Sequence, residues 1–370
     1  MYAARLAAEL KKHADVEIFG MGGAQMRAAG VDVITDYSEV SVLGITEILS
    51  HLPQLRHAMR NLVSQARSRK PALAIHTDFP GFHLRLARKL KPLGVKNVYY
   101  ICPQFWAWRP WRANLVRRRF ALALCIFPFE EEFFGDAGVP VKFIGHPLVG
   151  EVCATRTRSE FATKRGFDPA RQTITILPGS RWGEIARHLP TLLESAHELE
   201  RQRPGNYNFI LALAADTDLN RVKEIIPQNV RPILVQGDTY NALAAADAAI
   251  ICSGTATVEA ALLDVPMVVV YRVSKLTALL AKPLIRTKYF GMVNLIAERE
   301  VAPELIQNDF QPEKIAHEIQ RLLEPARSAQ AHADLAEVRR RLGPSGAVER
   351  AAGAILALLP DGAKASGNAS

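Results

Sequence analysis

The stretch ILPGSRWGEI, residues 176–185, joins two kinds of sequence. Ile174–Leu177 is a run of strand formers that empties into Pro178-Gly179-Ser180-Arg181. Helical residues begin again at Glu184 and Ile185. A strand end that turns tightly on glycine, then offers a hydroxyl and an arginine, suits an anion at the carboxyl edge of a parallel sheet. Arg181 is the natural cation for a diphosphate, because its fork can bind two oxygens. Pro190 fits the first turn of a helix, which predicts a helix start near Leu189 and only a weak dipole at this turn.

A similar turn lies at SGTATVEAAL, residues 253–262. A strand ends at Ser253, Gly254-Thr255-Ala256 turn, and a helix begins near Thr257. Small residues there let a ligand approach the backbone, and free amides attract phosphate. Glu259 is placed to accept hydrogen bonds from ribose hydroxyls. A capped helix with a dipole-friendly glutamate explains the same residues without a ligand.

Working outward, short apolar runs alternate with helical patterns along most of the chain. The runs are 16–20, 72–77, 97–101, 123–127 and 141–145, then 173–177, 208–213, 231–236, 248–253 and 266–271. They lack clean polar alternation, as buried parallel strands do. The expected class is α/β, with two Rossmann-like doubly wound domains. The boundary is placed at GHPLVGEV, giving residues 1–150 and 151–334. The polar tail 360–370 is expected to be disordered. A doubly wound domain normally opens with a strand that becomes central in its sheet, but this chain opens on the helix pattern MYAARLAAELKKH. The first strand of the first domain is therefore expected to be missing.

The chain has 370 residues, 49% hydrophobic and 22% charged, with a net charge of +9. That size suits two domains, and the charge favours acidic partners: nucleic acid, an anionic membrane face or phosphorylated substrates. Cys102, Cys125, Cys153 and Cys252 form no CxxC pair. A zinc site and a disulfide framework are not expected, and a reducing cytosol is. No apolar run approaches the roughly 18 residues of a membrane span, and no signal peptide is read at Met1.

Three further segments carry candidate chemistry. HTDFPGFHLRLA (76–87) puts Asp78 just past a strand end, where a carboxylate can act as general base or simply cap a turn. His76 and His83 read as packing or capping residues, and no paired-histidine metal spacing is present. CPQFWAWRPWR (102–112) interleaves tryptophan and arginine. That composition fits base stacking, a rigid cleft wall holding a substrate against Trp106, or a buried aromatic cluster with a solvated basic face. VLGITEILSHLPQLRHAM (42–59) sets Ile48, Leu49, Leu52 and Leu55 on a helical stripe, suited to lipid contact or to a core.

Taken together, MGGAQM, VLGITEIL, TDFPGF, CPQFWAWR, FPFEEEFF, GHPL, ILPGSR, SGTATVEAAL, PMVVVYR and VNLIAEREVAPELIQ occur in the order found in lipid-A-disaccharide synthases. The chain resembles that family over roughly residues 1–325. The resemblance implies a GT-B glycosyltransferase, with two domains facing a cleft. It implies an inverting hexosyltransferase that condenses UDP-2,3-diacylglucosamine with 2,3-diacylglucosamine 1-phosphate to give a lipid A disaccharide 1-phosphate and UDP. It places the family's essential aspartate on Asp78 and its essential arginine on Arg181. Ser180, Gly254, Thr255, Ala256, Glu259 and Asn294 then line the nucleotide site, and the lipid-facing stripe falls on Ile48, Leu49, Leu52 and Leu55. A last helix near 335–358 is expected to pack back on the first domain. No cofactor, metal or nucleic acid is implied. The expected setting is the anionic inner face of the cytoplasmic membrane, as a peripheral monomer or homodimer. Family members begin with a strand and a glycine-rich loop that this chain lacks, so an upstream start, or an inactive truncated form, is an expectation. The rival readings are another UDP-sugar GT-B enzyme, a two-domain binding protein and a nucleic-acid binder.

Overall fold

In the computed structural model, residues 1–37, 52–227, 229–274, 277–278 and 287–359 are described. The tail 360–370, Ile48 and Leu49 lie outside them, as does the side chain of Leu52. The chain divides into two units, Met1–Pro147 with Pro344–Ser370, and Leu148–Gly343.

The second unit is built on six parallel strands: β7 (Gln172–Leu177), β8 (Tyr207–Leu213), β9 (Ile233–Gln236), β10 (Ala248–Cys252), β11 (Met267–Tyr271) and β12 (Glu304–Ile306). Their order is β12-β11-β10-β7-β8-β9. Ile250 of β10 pairs with Ile176 of β7 on one side and Val268 of β11 on the other. Ile174, Ile176, Ile250 and Val268 are fully buried, which is why these strands read as continuous apolar runs. Thr175 sits among them because its hydroxyl donates to the Ala242 carbonyl at 2.7 Å. The chain runs outward from β7 in one direction, through β8 to β9. It then returns beside β7 at β10 and runs outward the other way. The order reverses between β7 and β10, and in open α/β sheets ligands bind outside the carboxyl ends of strands at that reversal.

The helix Trp182–Gln202 follows β7 and starts at Trp182, with Pro190 inside it. This corrects the expected start near Leu189. Ile185, Leu189, Leu192, Leu193, Ala196 and Leu199 recur at helical spacing and are buried against the sheet, and that stripe holds the helix through the proline. An interior proline normally costs about 3 kcal/mol, whereas burying each large apolar side chain contributes about 1.5–3 kcal/mol.

The first unit holds two parallel sheets. One pairs β1 (Phe19–Gly22) with β2 (Asp32–Asp36). The other runs β3 (Leu73–Thr77), β4 (Lys96–Tyr100), β5 (Leu122–Cys125) and β6 (Val141–Phe143). Met21 of β1 and Ala74 of β3 pack on one apolar cluster from the helices Leu52–Arg69 and Pro80–Leu90. The two sheets therefore share a helical layer, but among the described residues no strand joins them. The helix Tyr2–His13 buries Leu6, Ala7 and Leu10 and packs with the helix Ala347–Leu356, which buries Ala351, Ala352 and Ile355.

Residues 335–341, expected with the first unit, lie in the second. They belong to the helix Pro325–Arg341, whose Leu335 and Val338 are buried and whose Arg339 holds the Ala261 carbonyl and Asp264. The chain leaves that helix through Gly343 and Gly346, both with left-handed φ.

Leu55, expected on the lipid-facing stripe, is half-buried. It packs on the cluster formed by Ala58, Leu62, Ala66 and Phe82, which is the core alternative for this segment.

Candidate active site

In the second unit, the turns after β7 and β10 stand at adjacent carboxyl ends, at the strand reversal. Gly179 has φ +120°, and a Cβ there would lie 2.7 Å from the Glu184 Cβ. Only glycine fits. The Ser180 and Arg181 amides both donate to Glu184 Oε2, at 3.3 and 3.4 Å, and Arg181 Nη1 donates to Oε1 at 3.3 Å. This is an anion-binding turn already holding an anion, the carboxylate of its own helix. The Arg181 side chain is otherwise 72% exposed, so it is open to a ligand.

The dipoles rank opposite to expectation. The 21-residue helix Trp182–Gln202 opens directly on this turn, whereas the helix after Gly254, Ala256–Leu262, has seven residues. At the second turn Gly254 and Thr255 are exposed, and among the described residues nothing lies within 4 Å of where a Gly254 Cβ would stand. Thr257 donates its hydroxyl to the Gly254 carbonyl at 2.9 Å, and Ser253 donates to the Phe290 carbonyl at 2.8 Å. Glu259 is half-buried and accepts from the Tyr240 hydroxyl at 3.2 Å. Burial holds its carboxyl above the usual range, against the lowering effect of that hydroxyl.

Asn294 was expected in the nucleotide site, and its side chain is not available there. It is fully buried. Its Oδ1 accepts from the Val301 and Ala302 amides, at 2.7 and 2.9 Å. Its Nδ2 donates to the Ala302 carbonyl and to Glu304 Oε1, at 2.7 and 2.8 Å. An amide side chain has two acceptor and two donor positions, and all four are taken. Glu304 in turn accepts from the Phe290 and Gly291 amides, both at 2.8 Å. No local pattern in the sequence pointed to Glu304.

In the first unit, Asp78 follows β3 and is exposed. Asp78, Phe79 and Ile101 have φ of 55°, 38° and 62°. Left-handed backbone at a phenylalanine and a β-branched isoleucine is unusual, costs of order 1–3 kcal/mol per residue, and tends to cluster at functional sites. All three residues lie just past the carboxyl ends of β3 and β4. The Tyr99 hydroxyl donates to the Asp78 carbonyl at 2.9 Å, fixing that backbone. Among the described residues, no hydrogen bond or salt bridge engages the Asp78 carboxylate, which leaves it open to a substrate hydroxyl.

Beneath Asp78 lies a buried polar chain. Asn97 Nδ2 donates to the Ala87 and Arg119 carbonyls, so its Oδ1 faces His76 Nε2 at 2.9 Å and accepts from it. With its proton on Nε2, His76 accepts at Nδ1 from His83 Nδ1, 3.1 Å away. Burial lowers both rings, His76 to about 4 and His83 to about 3, so the pair is neutral near pH 7. This agrees with the packing role read for these histidines.

Trp106 donates its indole N–H to Glu130 Oε1 at 3.1 Å. Glu130 is fully buried and also accepts from the Ile126 and Phe127 amides, and desolvation pushes it up to about 7 despite three donors. Trp106 is thus fixed by its polar edge and presents only its ring. Trp108 and Trp111 are the more exposed pair, 37% and 58%, and carry Arg109 and Arg112 over their faces. Among the described residues, no group of three or more His, Cys, Asp or Glu is placed to hold a metal ion, and no helix is long and apolar enough to cross a membrane.

A sequence profile described as lipid-A-disaccharide synthetase matches residues 1–357. The chain belongs to that family. It is 42% identical over 364 residues to the lipid-A-disaccharide synthase of Myxococcus xanthus, covering 98% of this chain and 95% of the relative. Against the same enzyme of Solibacter usitatus it is 43% identical over 363 residues, covering 97% and 94%. Among solved structures it resembles the UDP-GlcNAc 2-epimerase of Neisseria meningitidis bound to UDP-GlcNAc, with TM-score 0.60, 12% identity, and 96% and 95% of the two chains covered. A glycosyltransferase from Rickettsia africae gives TM-score 0.57 at 11% identity, covering 96% and 93%. At such identities these structures speak for the fold alone, which is GT-B. Family membership makes the chain a glycosyltransferase of the lipid A disaccharide-forming kind, transferring a hexosyl unit.

Proposed function

We propose that this chain transfers 2,3-diacylglucosamine from its UDP derivative to the 6-hydroxyl of 2,3-diacylglucosamine 1-phosphate, inverting the anomeric centre. The observation that carries the residue assignment is the strand reversal between β7 and β10, with an exposed arginine after β7 and an exposed glycine turn after β10 at that edge. The second unit binds the donor. Arg181, the Ser180 hydroxyl, and the backbone at Gly254, Thr255 and Ala256 hold the diphosphate. Glu259, half-buried beside Tyr240, takes the ribose hydroxyls. Asn294 acts from behind by fixing the segment around Gly291.

In the reaction, the acceptor 6-oxygen attacks the anomeric carbon as its proton passes to the Asp78 carboxylate. The bond from that carbon to the diphosphate oxygen breaks, and UDP leaves with the added negative charge. The guanidinium and amides stabilise the charge where it develops, the kind of interaction that supplies most of the acceleration in such reactions. Trp106, Trp108 and Trp111 form an aromatic wall for the acylated acceptor. The net charge of +9, with Arg117, Arg118 and Arg119 on one short helix, supports peripheral attachment to an anionic inner-leaflet surface. Each Lys or Arg near such a surface contributes about 1 kcal/mol.

The test is UDP release from UDP-2,3-diacylglucosamine with and without the monophosphate acceptor. Release should require the acylated acceptor, and Asp78→Asn should slow it by about 10²–10⁴-fold. Near-full turnover by Asp78→Asn removes Asp78 from the base role.

A further inference from the structure

Beneath the donor edge of the second unit sits a group that the proposed mechanism leaves unused. His188 lies in the second turn of the helix Trp182–Gln202 and is fully buried. Its Nδ1 is 3.0 Å from the Pro178 carbonyl, and its Nε2 is 3.1 Å from the Arg272 amide nitrogen and 3.0 Å from the Arg272 carbonyl. Cys252 Sγ is 3.4 Å from Nδ1. The ring lies edge-on to Phe310 and tilted against Tyr271, with centroids 5.6 and 5.5 Å away.

These partners favour one tautomer. A backbone N–H can only donate, so Nε2 accepts from the Arg272 amide and Nδ1 carries the proton it gives to Pro178, two hydrogen bonds at the expense of one bare contact between Nε2 and the Arg272 carbonyl. The opposite tautomer would donate to the Arg272 carbonyl but set a bare nitrogen against the Pro178 carbonyl and an N–H against an N–H. Pro178 begins the turn that carries Ser180 and Arg181. Cys252 ends β10, one residue before the turn at Ser253 and Gly254. Arg272 follows the last residue of β11. One buried imidazole therefore touches the carboxyl ends of β7, β10 and β11 together.

We propose that His188 is a positioning residue for the donor diphosphate: it fastens the Pro178–Arg181 turn to the ends of β10 and β11. This rests on the reading of those turns as the UDP site. The turn contains Gly179 and is exposed at Ser180 and Arg181, where the Glu184 carboxylate holds its amides from the helix side. The hydrogen bond to the Pro178 carbonyl fixes it from the inside. A displacement of about 1 Å in a positioning group can cost on the order of 10²-fold in rate, so fixing the turn matters most for the ligand it holds.

The experiment measures UDP affinity by calorimetry in wild type, His188→Phe, His188→Gln and Leu192→Ala, with the melting temperature of each. His188→Phe keeps a ring against Tyr271 and Phe310 and loses both hydrogen bonds. Leu192→Ala destabilises the same helix through its apolar face and leaves the hydrogen bonds intact. The expected result is a tenfold or greater rise in Kd for His188→Phe and less than twofold for Leu192→Ala. In turnover, His188→Phe should raise KM for the UDP-sugar and leave that for the acceptor unchanged. His188→Gln, which keeps one polar end, should fall between and serves if the phenylalanine variant does not fold. Wild-type-like Kd in both His188 variants overturns the inference, and so does an equal loss in Leu192→Ala. Failure of the wild type to bind UDP instead overturns the reading of the site on which the inference rests.

Discussion

Acid should weaken the first unit through the His76–His83 pair, by an amount the structure sets. His76 is fully buried and His83 half-buried, and desolvation holds their pKa values near 4 and 3, against 6.5 for an ordinary imidazole. The folded values are depressed. The stability at stake is therefore fully present above the unfolded value near 6.5, and it is lost as pH falls toward the folded values. At pH 4.5 the unfolded rings have each bound a proton and the folded rings mostly have not. Linkage then gives a loss of about 2.5 kcal/mol per ring, or about 5 kcal/mol for the pair, relative to pH 7.5. Two other groups in this unit titrate in the same range. His146, lowered by burial to about 4, adds to the loss. Glu130, raised by burial to about 7, opposes it, because a raised carboxyl favours the folded state at low pH. The comparison is therefore between wild type and His83→Leu. Urea unfolding is followed by tryptophan fluorescence, since Trp106, Trp108 and Trp111 all lie in the first unit. The loss between pH 7.5 and 4.5 should be about 2.5 kcal/mol smaller in the variant. Equal losses in the two proteins, or His76 and His83 ring carbons titrating near 6.5 by NMR, would refute the neutral buried pair.

Arg181→Ala should lower kcat/KM by about 10²–10³-fold. It should leave stability within about 1 kcal/mol, because its pairing with Glu184 is a surface contact; parallel activity and melting measurements check both. Asn294→Ala should do the reverse in kind. It leaves the Val301 and Ala302 amides and Glu304 short of a buried partner, at about 1–3 kcal/mol for each unsatisfied group. Denaturation should report a large stability loss, and a fully stable variant with weakened UDP binding would restore a direct ligand role.

The turn at Pro178–Arg181 was legible because its chemistry is local. Apolar strand, glycine, hydroxyl and arginine stand within a few residues, and the positive φ of Gly179 demands that residue type. The start of the next helix was misplaced because proline is a local signal for a first turn, whereas an apolar stripe over about four turns outweighs it. Leu55 carried the same ambiguity: a leucine stripe looks alike whether lipid or a neighbouring helix covers it. Asn294 sat in a recognisable motif, but its hydrogen-bond partners come from residues up to ten positions away, with no spacing rule to announce them.

Sequence by itself determined the α/β class, the alternation that makes parallel sheets, the two glycine turns at strand ends and the place of Asp78 just past another, because periodicity and turn chemistry act over a few residues. Tertiary structure alone decided that β7 and β10 are neighbours, that Asn294 is spent on its own backbone, and that His188 ties three strand ends together. Strand order and buried hydrogen bonds depend on which distant segments meet, and a linear pattern of residue types does not encode that meeting.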